Sequence, residues 1–380
     1  MKLGTYGDAE VHREGKMISV RFLAPHCVVS TCRVHGGLRD DLDGVFNHQS
    51  CEPAGHMRKD LKSIVAEPER YHQGLCERYG VAELSASLGT AANMNHAAIA
   101  TRSFRDLSVT AICTGGVEGN AGRAGDPASV WEGEEGFVPL DKKGEEPPGT
   151  INMILLINRE LSNGAMVRSI VTATEAKSAV LQELAVSSRY SEGLATGTGT
   201  DQIAVACALG GSRPLTSAGK HSKLGELIAQ AVIAALRDTL SRQNSLTPQS
   251  QRSVWEHIRR FGAKREEVME MVAGQLSPDE SEVFRKNFGG LDRDSMTVAA
   301  ACALVHLYDK HAWGLLPESC MGEIFVMQAA LFAAAVSHRH DRIATYAEQL
   351  EAVGWSTGRE GLLSLITTAW ALGYADKWND

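Results

Sequence analysis

A mixed α/β domain whose sheet is covered by helices, followed by an all-helical domain, is the fold class that the 380-residue sequence predicts. Three observations lead there. The short, nearly all-apolar runs "LSVTAIC", "INMILLIN" and "DQIAVACAL" stand beside glycine, asparagine or aspartate, the pattern of strands buried on both faces. Two amphipathic segments with helical spacing follow Leu161 and begin near Ser222. Beyond Gln251 the strand signals end and alanine-rich amphipathic segments take over.

Taken along the chain, "AEVHREGKMISVRFLAP" predicts a hairpin that turns at Arg13-Glu14-Gly15, and "HCVVSTCRV" predicts a third strand. Residues 57–79 read as a helix interrupted near Pro68. The helix after Leu161, capped by Ser162 or Asn163, is expected to gather Val167, Ile170, Val171, Thr174 and Leu181 on one face. The helix from Ser222 repeats Leu224, Leu227, Ile228, Ala231, Val232, Ala235 and Leu236, and both helices should pack on the sheet. The polar, proline-containing stretch "SRQNSLTPQSQ" over 241–251 reads as a linker between a domain over 1–241 and a helical domain over 252–380. In the latter, "SVWEHIRRF", "KREEVMEMVAGQL", "MTVAAACALVHLYDKH", "EIFVMQAALFAAAV", "IATYAEQLEAV" and "LLSLITTAWALGYA" carry the helical signal.

The composition, 43% hydrophobic and 22% charged, is that of a globular chain long enough for two cores. A net charge of −8 offers no general attraction to nucleic acid or to anionic membranes. No window approaches the ~18 consecutive apolar residues of a membrane span, and the first residues lack the apolar core of a signal peptide, so no membrane insertion and a cytoplasmic location are expected. The eight cysteines are scattered without Cys-x-x-Cys pairs, which predicts reduced, mostly buried thiols rather than a zinc site. His306, His338 and His340 lack convincing ligand partners, so no protein-bound metal or other cofactor is expected.

The stretch "TGGVEGNAGRAGDPAS" over 114–129 is a glycine-rich turn after a predicted strand, the usual setting for a bound phosphate. Its glycines never supply the i, i+2 step of the dinucleotide fingerprint, and Gly-Lys-Ser/Thr is missing. What it presents instead is Asn120, Arg123 and Asp126 on a flexible turn; by themselves these also suit a solvated surface loop.

In the same order along the chain stand "VVSTCRVHGGL", "GTAANMNHAAIATRSF", "TGGVEGNAGRAGD", "GTINMILLIN", "VTATEAKSAV", "ATGTGTDQIAVA" and "AGKHSKLGELIAQAV". This series, over about residues 25–240, resembles the adenosylcobinamide amidohydrolases of corrinoid salvage. The resemblance implies hydrolysis of the amide that joins aminopropanol to a corrin-ring propionate, with adenosylcobyric acid as product, a corrinoid as small-molecule partner, and cobalt present only within that substrate. Gly122 stands where that family often has Arg, Lys220 where Thr is usual and Ala229 where Gly is usual. The resemblance says nothing of the helical region, a natural surface for a protein partner or a homo-oligomer.

Amide hydrolysis needs a nucleophile, a proton donor for the departing amine and donors aimed at the developing oxyanion. Thr150, after "EEPPG", starts the "INMILLIN" strand in an arrangement remotely like the self-cleaving aminopeptidase and ornithine acetyltransferase group, where a Ser or Thr after the cut is the nucleophile. Thr150 equally suits a mere strand start, and water activated by Asp201 or His221 is the alternative attacking group. Thr198, Thr200 and the glycines of "ATGTGTD" can direct N–H groups at one oxygen, with Asp201 as an acid or orienting carboxylate. His221, before a helix start with Lys223 and Glu226, is the general acid–base candidate. Glu175 is a further catalytic candidate, although it and Lys177 also suit the wet face of a helix. Ser30, Thr31 and Asn47 offer hydrogen bonds to the corrin's peripheral amides. On this expectation Thr150, Asp201, His221 and the Asn120-Arg123-Asp126 loop converge. The rivals are an amidase, peptidase or acyl-transfer enzyme with another substrate, and a corrinoid-binding module without turnover.

Overall fold

The computed structural model describes residues 1–50, 66–134, 136–140, 149–354 and 356–377. These fall into two compact units, Met1–Leu246 and Thr247–Asp380. In the first unit the elements run β1 (Lys2–Tyr6), β2 (Ala9–Glu14), β3 (Met17–Phe22), β4 (His26–Ser30), β5 (Gly37–Arg39), β6 (Gly44–Gln49) and α1 (Pro68–Tyr79). They continue with β7 (Ser85–Thr90), β8 (Ala98–Phe104), β9 (Leu107–Gly116), β10 (Ala121–Gly122), β11 (Val130–Gly133), β12 (Gly136–Pro139), β13 (Thr150–Ile157), α2 (Asn163–Glu183), β14 (Gly197–Thr198), β15 (Gln202–Ala208) and α3 (Lys223–Asn244).

Two mixed sheets carry this unit, a six-stranded one in the order β5-β4-β15-β13-β9-β8 and a five-stranded one in the order β1-β2-β3-β6-β7. The three apolar runs are β9, β13 and β15, the centre of the larger sheet, with β13 and β15 parallel and β9 antiparallel to β13. Because side chains alternate along a strand, each run serves two cores. Val28, Ile112, Ile154, Leu156, Ala204 and Ala206 face the five-stranded sheet and pack with Val11, Ile18, Val20, Val45 and Leu88. Val109, Cys113, Met153, Leu155, Val205 and Cys207 face the other way and pack with α2 and α3. The result is sheet on sheet on helices.

The expected third strand forms as β4 and pairs with β15 in the larger sheet. Pro68 opens α1, where an N-terminal proline gives up an N–H that has no helical partner, and Ala66 is helical while Glu67 is not, in keeping with an interruption near Pro68; residues 57–65 lie outside the described ones. The buried face of α2 is Ala165, Met166, Ser169, Thr172, Ala173, Ala176, Lys177, Val180 and Leu181, whereas Val167 and Val171 are exposed. Small residues let α2 lie close to the sheet, so a face chosen by the largest apolar side chains is rotated from the real one. The start of the 241–251 stretch is the last turn of α3, which ends at Ser245 in the left-handed conformation.

In the second unit only helices occur among the described residues. Their core is built around Trp370, Phe284, Phe288 and Phe332, with Tyr374 edge-on to Phe284 at 4.9 Å between ring centres. The segment Pro278–Leu291 is a helix that the apolar periodicity did not mark, begun by a capping box in which Ser277 and Glu280 satisfy one another's backbone N–H. Arg260 donates at 2.7 Å to the largely buried Asp309.

Candidate functional site

Register sets the site. Thr150 stands opposite Gly116, at the end of β9, and Asn152 opposite Gln202, at the start of β15, so the first residues of β13 and β15 share one edge with the last residues of β9. The end of β4 lies there too, with Ser30 opposite Ala204. Two loops close over this edge. Ala121 and Gly122 of the glycine loop pair with Thr198 and Gly197 of the "ATGTGTD" loop.

Asp201 is the node of this edge. Its Oδ1 accepts from the Ile151 N–H at 3.0 Å and from the Thr198 hydroxyl at 2.6 Å. Its Oδ2 accepts from the Thr198 N–H at 3.1 Å and from the ammonium of Lys177. With four donors on two oxygens, the carboxylate ties β13, the Thr198 turn and α2 together. Lys177 is only 9% exposed along its side chain. A Cβ on Gly197 would lie 2.5 Å from Asp201 Oδ2 and 2.7 Å from Lys177 Nζ, so only glycine lets the backbone pass this ion pair.

Thr150 is buried, and its hydroxyl donates to the Thr200 carbonyl at 2.7 Å. Behind it runs a buried polar chain: Asn152 Nδ2 donates to Asn47 Oδ1 and to the Gly89 carbonyl, both at 2.9 Å, and Asn47 Nδ2 donates to Thr114 Oγ1 at 2.9 Å. The chain ties the two sheets together below the site. Above it, a Cβ on Gly149 would lie 2.6 Å from Asn120 Oδ1 and 2.9 Å from the Gly116 carbonyl. The Asn120 carboxamide is therefore pressed against the Gly149–Thr150 junction. Asn120 is 6% exposed and its Oδ1 has no hydrogen-bond partner among the described residues, a costly state unless something else completes it.

The rest of the glycine loop is braced. Asp126 Oδ2 accepts from the Arg123 N–H at 2.7 Å and the Ser188 hydroxyl at 2.6 Å. Burial works against this carboxylate, but the hydrogen bonds from Ser188, Ser191 and the Arg123 amide outweigh it and lower its pKa. The Arg123 guanidinium reaches the Leu194 carbonyl at 3.4 Å. Thr31 Oγ1 accepts from the Ile203 N–H at 3.0 Å, Ser30 is buried beside it, and Thr200 donates to the Gly149 carbonyl at 3.0 Å.

The expected convergence of His221 is not found. Helix α3 brings its other end to the site: Leu240 and Thr239 lie beside Gly115, while Lys223 Nζ sits 4.8 Å from the Phe104 ring, at the β8–β9 turn remote from Thr150. His221 is exposed, and Lys223 is paired with Glu226 at 2.6 Å beside it. Glu175 is also corrected, since it lies on the outer side of α2 in an ion pair with Lys220 at 2.7 Å. Lys220, Lys223, Glu226 and Glu175 thus form exposed pairs away from Asp201. Lys177 is the residue that sequence reasoning missed. Its signal was its place four residues from Ala173 and four from Leu181, on the buried stripe.

Among the described residues, no group of three or more His, Cys, Asp and Glu side chains is arranged to hold a metal ion. No described helix is long and apolar enough to cross a membrane. The profile of the adenosylcobinamide amidohydrolase family matches residues 2–248. The chain belongs to that family. An uncharacterized protein, MJ1613 of Methanocaldococcus jannaschii, is 39% identical over 166 residues, 42% of this chain and 64% of that relative. An adenosylcobinamide amidohydrolase of Halobacterium salinarum is 30% identical over 138 residues, 35% of this chain and 53% of that relative. The chain therefore spans between half and two thirds of the length of these relatives. The solved structure of the PH0078 protein from Pyrococcus horikoshii OT3 aligns over 62% of this chain and 79% of that one, at 12% identity and a TM-score of 0.29. The adenosylcobinamide amidohydrolase match covers the two-sheet unit, and the helical unit lies almost wholly outside it.

Proposed function

We propose that this protein hydrolyses the aminopropanol amide of adenosylcobinamide, releasing adenosylcobyric acid, and that the chemistry takes place at the Thr150 edge. Family membership supports an amide as the substrate. The observation that carries the placement is the Gly149–Thr150 junction, held against an Asn120 carboxamide whose buried oxygen lacks a partner among the described residues.

In this reading Thr150 Oγ attacks the propionamide carbonyl carbon and the carbon–nitrogen bond breaks. Aminopropanol leaves as the amine, taking up the threonine proton, and an ester remains on Thr150. Water then adds to the ester and returns the hydroxyl, leaving the carboxylic acid. Asn120 completes its hydrogen bonding on the substrate amide. Asp201 keeps the Ile151 N–H and Thr198 in place, and the open space around Gly199 lets a backbone N–H of that turn meet the oxyanion. Arg123, Thr200, Ser30 and Thr31 lie on the rim or floor of the same edge and serve the corrin's amide side chains. Asn47 acts from below, through Asn152.

The test is liquid chromatography with mass detection of adenosylcobinamide incubated with the full chain. Adenosylcobyric acid and free aminopropanol should both appear, and Thr150→Ala should abolish them. An acyl adduct on the Thr150 peptide after acid quench marks the ester. Full turnover by Thr150→Ala transfers the attack to water. A corrinoid that co-elutes with the protein without turnover would replace the enzyme reading with a binding module, and turnover of simple amides alone would replace the corrinoid.

A further inference from the structure

Lys177, the charge partner of Asp201, has no assigned part in the reaction described above. Burying an ammonium is expensive, and a buried ion pair adds little stability over apolar residues of the same shape. Lys177 lies on a stripe otherwise made of alanine, methionine, valine, leucine, serine and threonine, where an apolar side chain would have served packing. Its retention therefore points to geometry.

That geometry is specific. The carboxylate that Lys177 grips also holds the Ile151 N–H, which belongs to the peptide immediately after Thr150, and both the N–H and the hydroxyl of Thr198. Three separate segments, β13, β14 and α2, meet on one side chain. The two strand segments begin or end beside loops. Only α2, a 21-residue helix packed along the sheet, offers a rigid anchor. Lys177 is the contact through which that anchor reaches the carboxylate.

We infer that Lys177 is a positioning residue for Thr150: through Asp201 it fixes the Thr150–Ile151 peptide and the Thr198 turn relative to helix α2, and so sets the attack geometry. The inference rests on the reading of Thr150 as the attacking group. Without the ammonium the carboxylate loses its charge partner and turns toward water, and the clamp on the Ile151 N–H loosens. A displacement of about 1 Å at a reacting atom costs on the order of 100-fold in rate without weakening substrate binding in proportion.

Steady-state kinetics on adenosylcobinamide, paired with amide hydrogen exchange of the peptide over 149–157, tests this in the full chain. For Lys177→Met, kcat is expected to fall about 100-fold with KM within about threefold. The Ile151 amide should exchange faster, and Lys177→Arg, which keeps the charge, should recover most of both. If Lys177→Met does not fold, Lys177→Gln takes its place with the same expectation. Unchanged kcat, a loss carried by KM alone, or unchanged exchange at Ile151 overturns the inference. Should the wild-type chain leave adenosylcobinamide untouched, the proposed reaction falls, and with it the setting of an attack geometry; exchange then decides the anchoring alone, faster exchange in the variant upholding that Lys177 fixes the Thr150–Ile151 peptide and equal exchange removing it.

Discussion

Gly197→Ala is the most direct probe of how closely the backbone approaches the buried ion pair. The new methyl would sit 2.5 Å from Asp201 Oδ2 and 2.7 Å from Lys177 Nζ, against an ordinary contact of 3.4 Å or more. It therefore meets both partners at once, and neither can give way by moving toward the other. Overpacking a tight site costs about 1–3 kcal/mol, and separating a buried pair costs about 3–5 kcal/mol when one charge is left alone. A partial separation should then cost about 3 kcal/mol. For a unit of this size that lowers Tm by roughly 6–12 °C, at about 2–4 °C per kcal/mol. Gly199→Ala is the internal control, because an added carbon there meets nothing within 4 Å. Differential scanning calorimetry of the two variants reads the difference on the transition of the first unit. If both variants unfold like the wild type, the ion pair does not lie against Gly197 and the account of Asp201 as a node is wrong.

Burial, reinforced by the nearby Arg78 and Lys16 charges, depresses the His48 pKa to about 4. The folded state resists a proton that the unfolded chain accepts, so this stability is complete above about pH 6.5 and is lost as pH falls toward 4, by about 3 kcal/mol in the limit. Urea unfolding at stepped pH should show a shallower decline for His48→Gln, and identical slopes would dismiss the assignment. His221→Ala and Glu175→Gln should each keep kcat/KM within about twofold of the wild type, as expected of exposed side chains remote from the reacting centre. A loss of about 100-fold or more in either, measured on adenosylcobinamide, would return that residue to the site. In the helical unit, Arg260→Met leaves the Asp309 carboxylate buried without its guanidinium and should cost about 3–5 kcal/mol. Chemical denaturation followed by far-ultraviolet circular dichroism checks it, and a change below about 1 kcal/mol would contradict the buried pairing.

The three central strands were legible because a strand buried on both faces must be apolar throughout, and few other structures write seven such residues in a row. Strands β1, β6, β7 and β8 were not, since glycine and polar residues interrupt them, and the β6–β7 pairing joins segments separated by a helix. At the site, the residues found together are those in loops fixed by strand register: Asn120, Thr150, Thr198, Thr200 and Asp201. Those assigned from a local helix start, His221, Lys223 and Glu226, went astray because a sequence does not state which end of a helix docks at which end of a sheet. Lys177 was hidden by the opposite assumption, that a lysine in mid-helix faces water.

The direction of the helices has a consequence for the charge of whatever enters. Both α2 and α3 come to the Thr150 edge with their carboxyl-terminal halves: Gln182 donates to the Ala195 carbonyl there at 3.0 Å, and Asn244 accepts from the Val117 N–H at 3.2 Å. A helix presents its partial negative charge at that end, whereas phosphate sites draw on the amino end. The polarity of this edge is thus the reverse of a nucleotide cradle, whatever the density of glycines in its loop. For the amide cleavage proposed above, the same field would welcome an amine departing in its protonated form and would press the newly formed carboxylate outward.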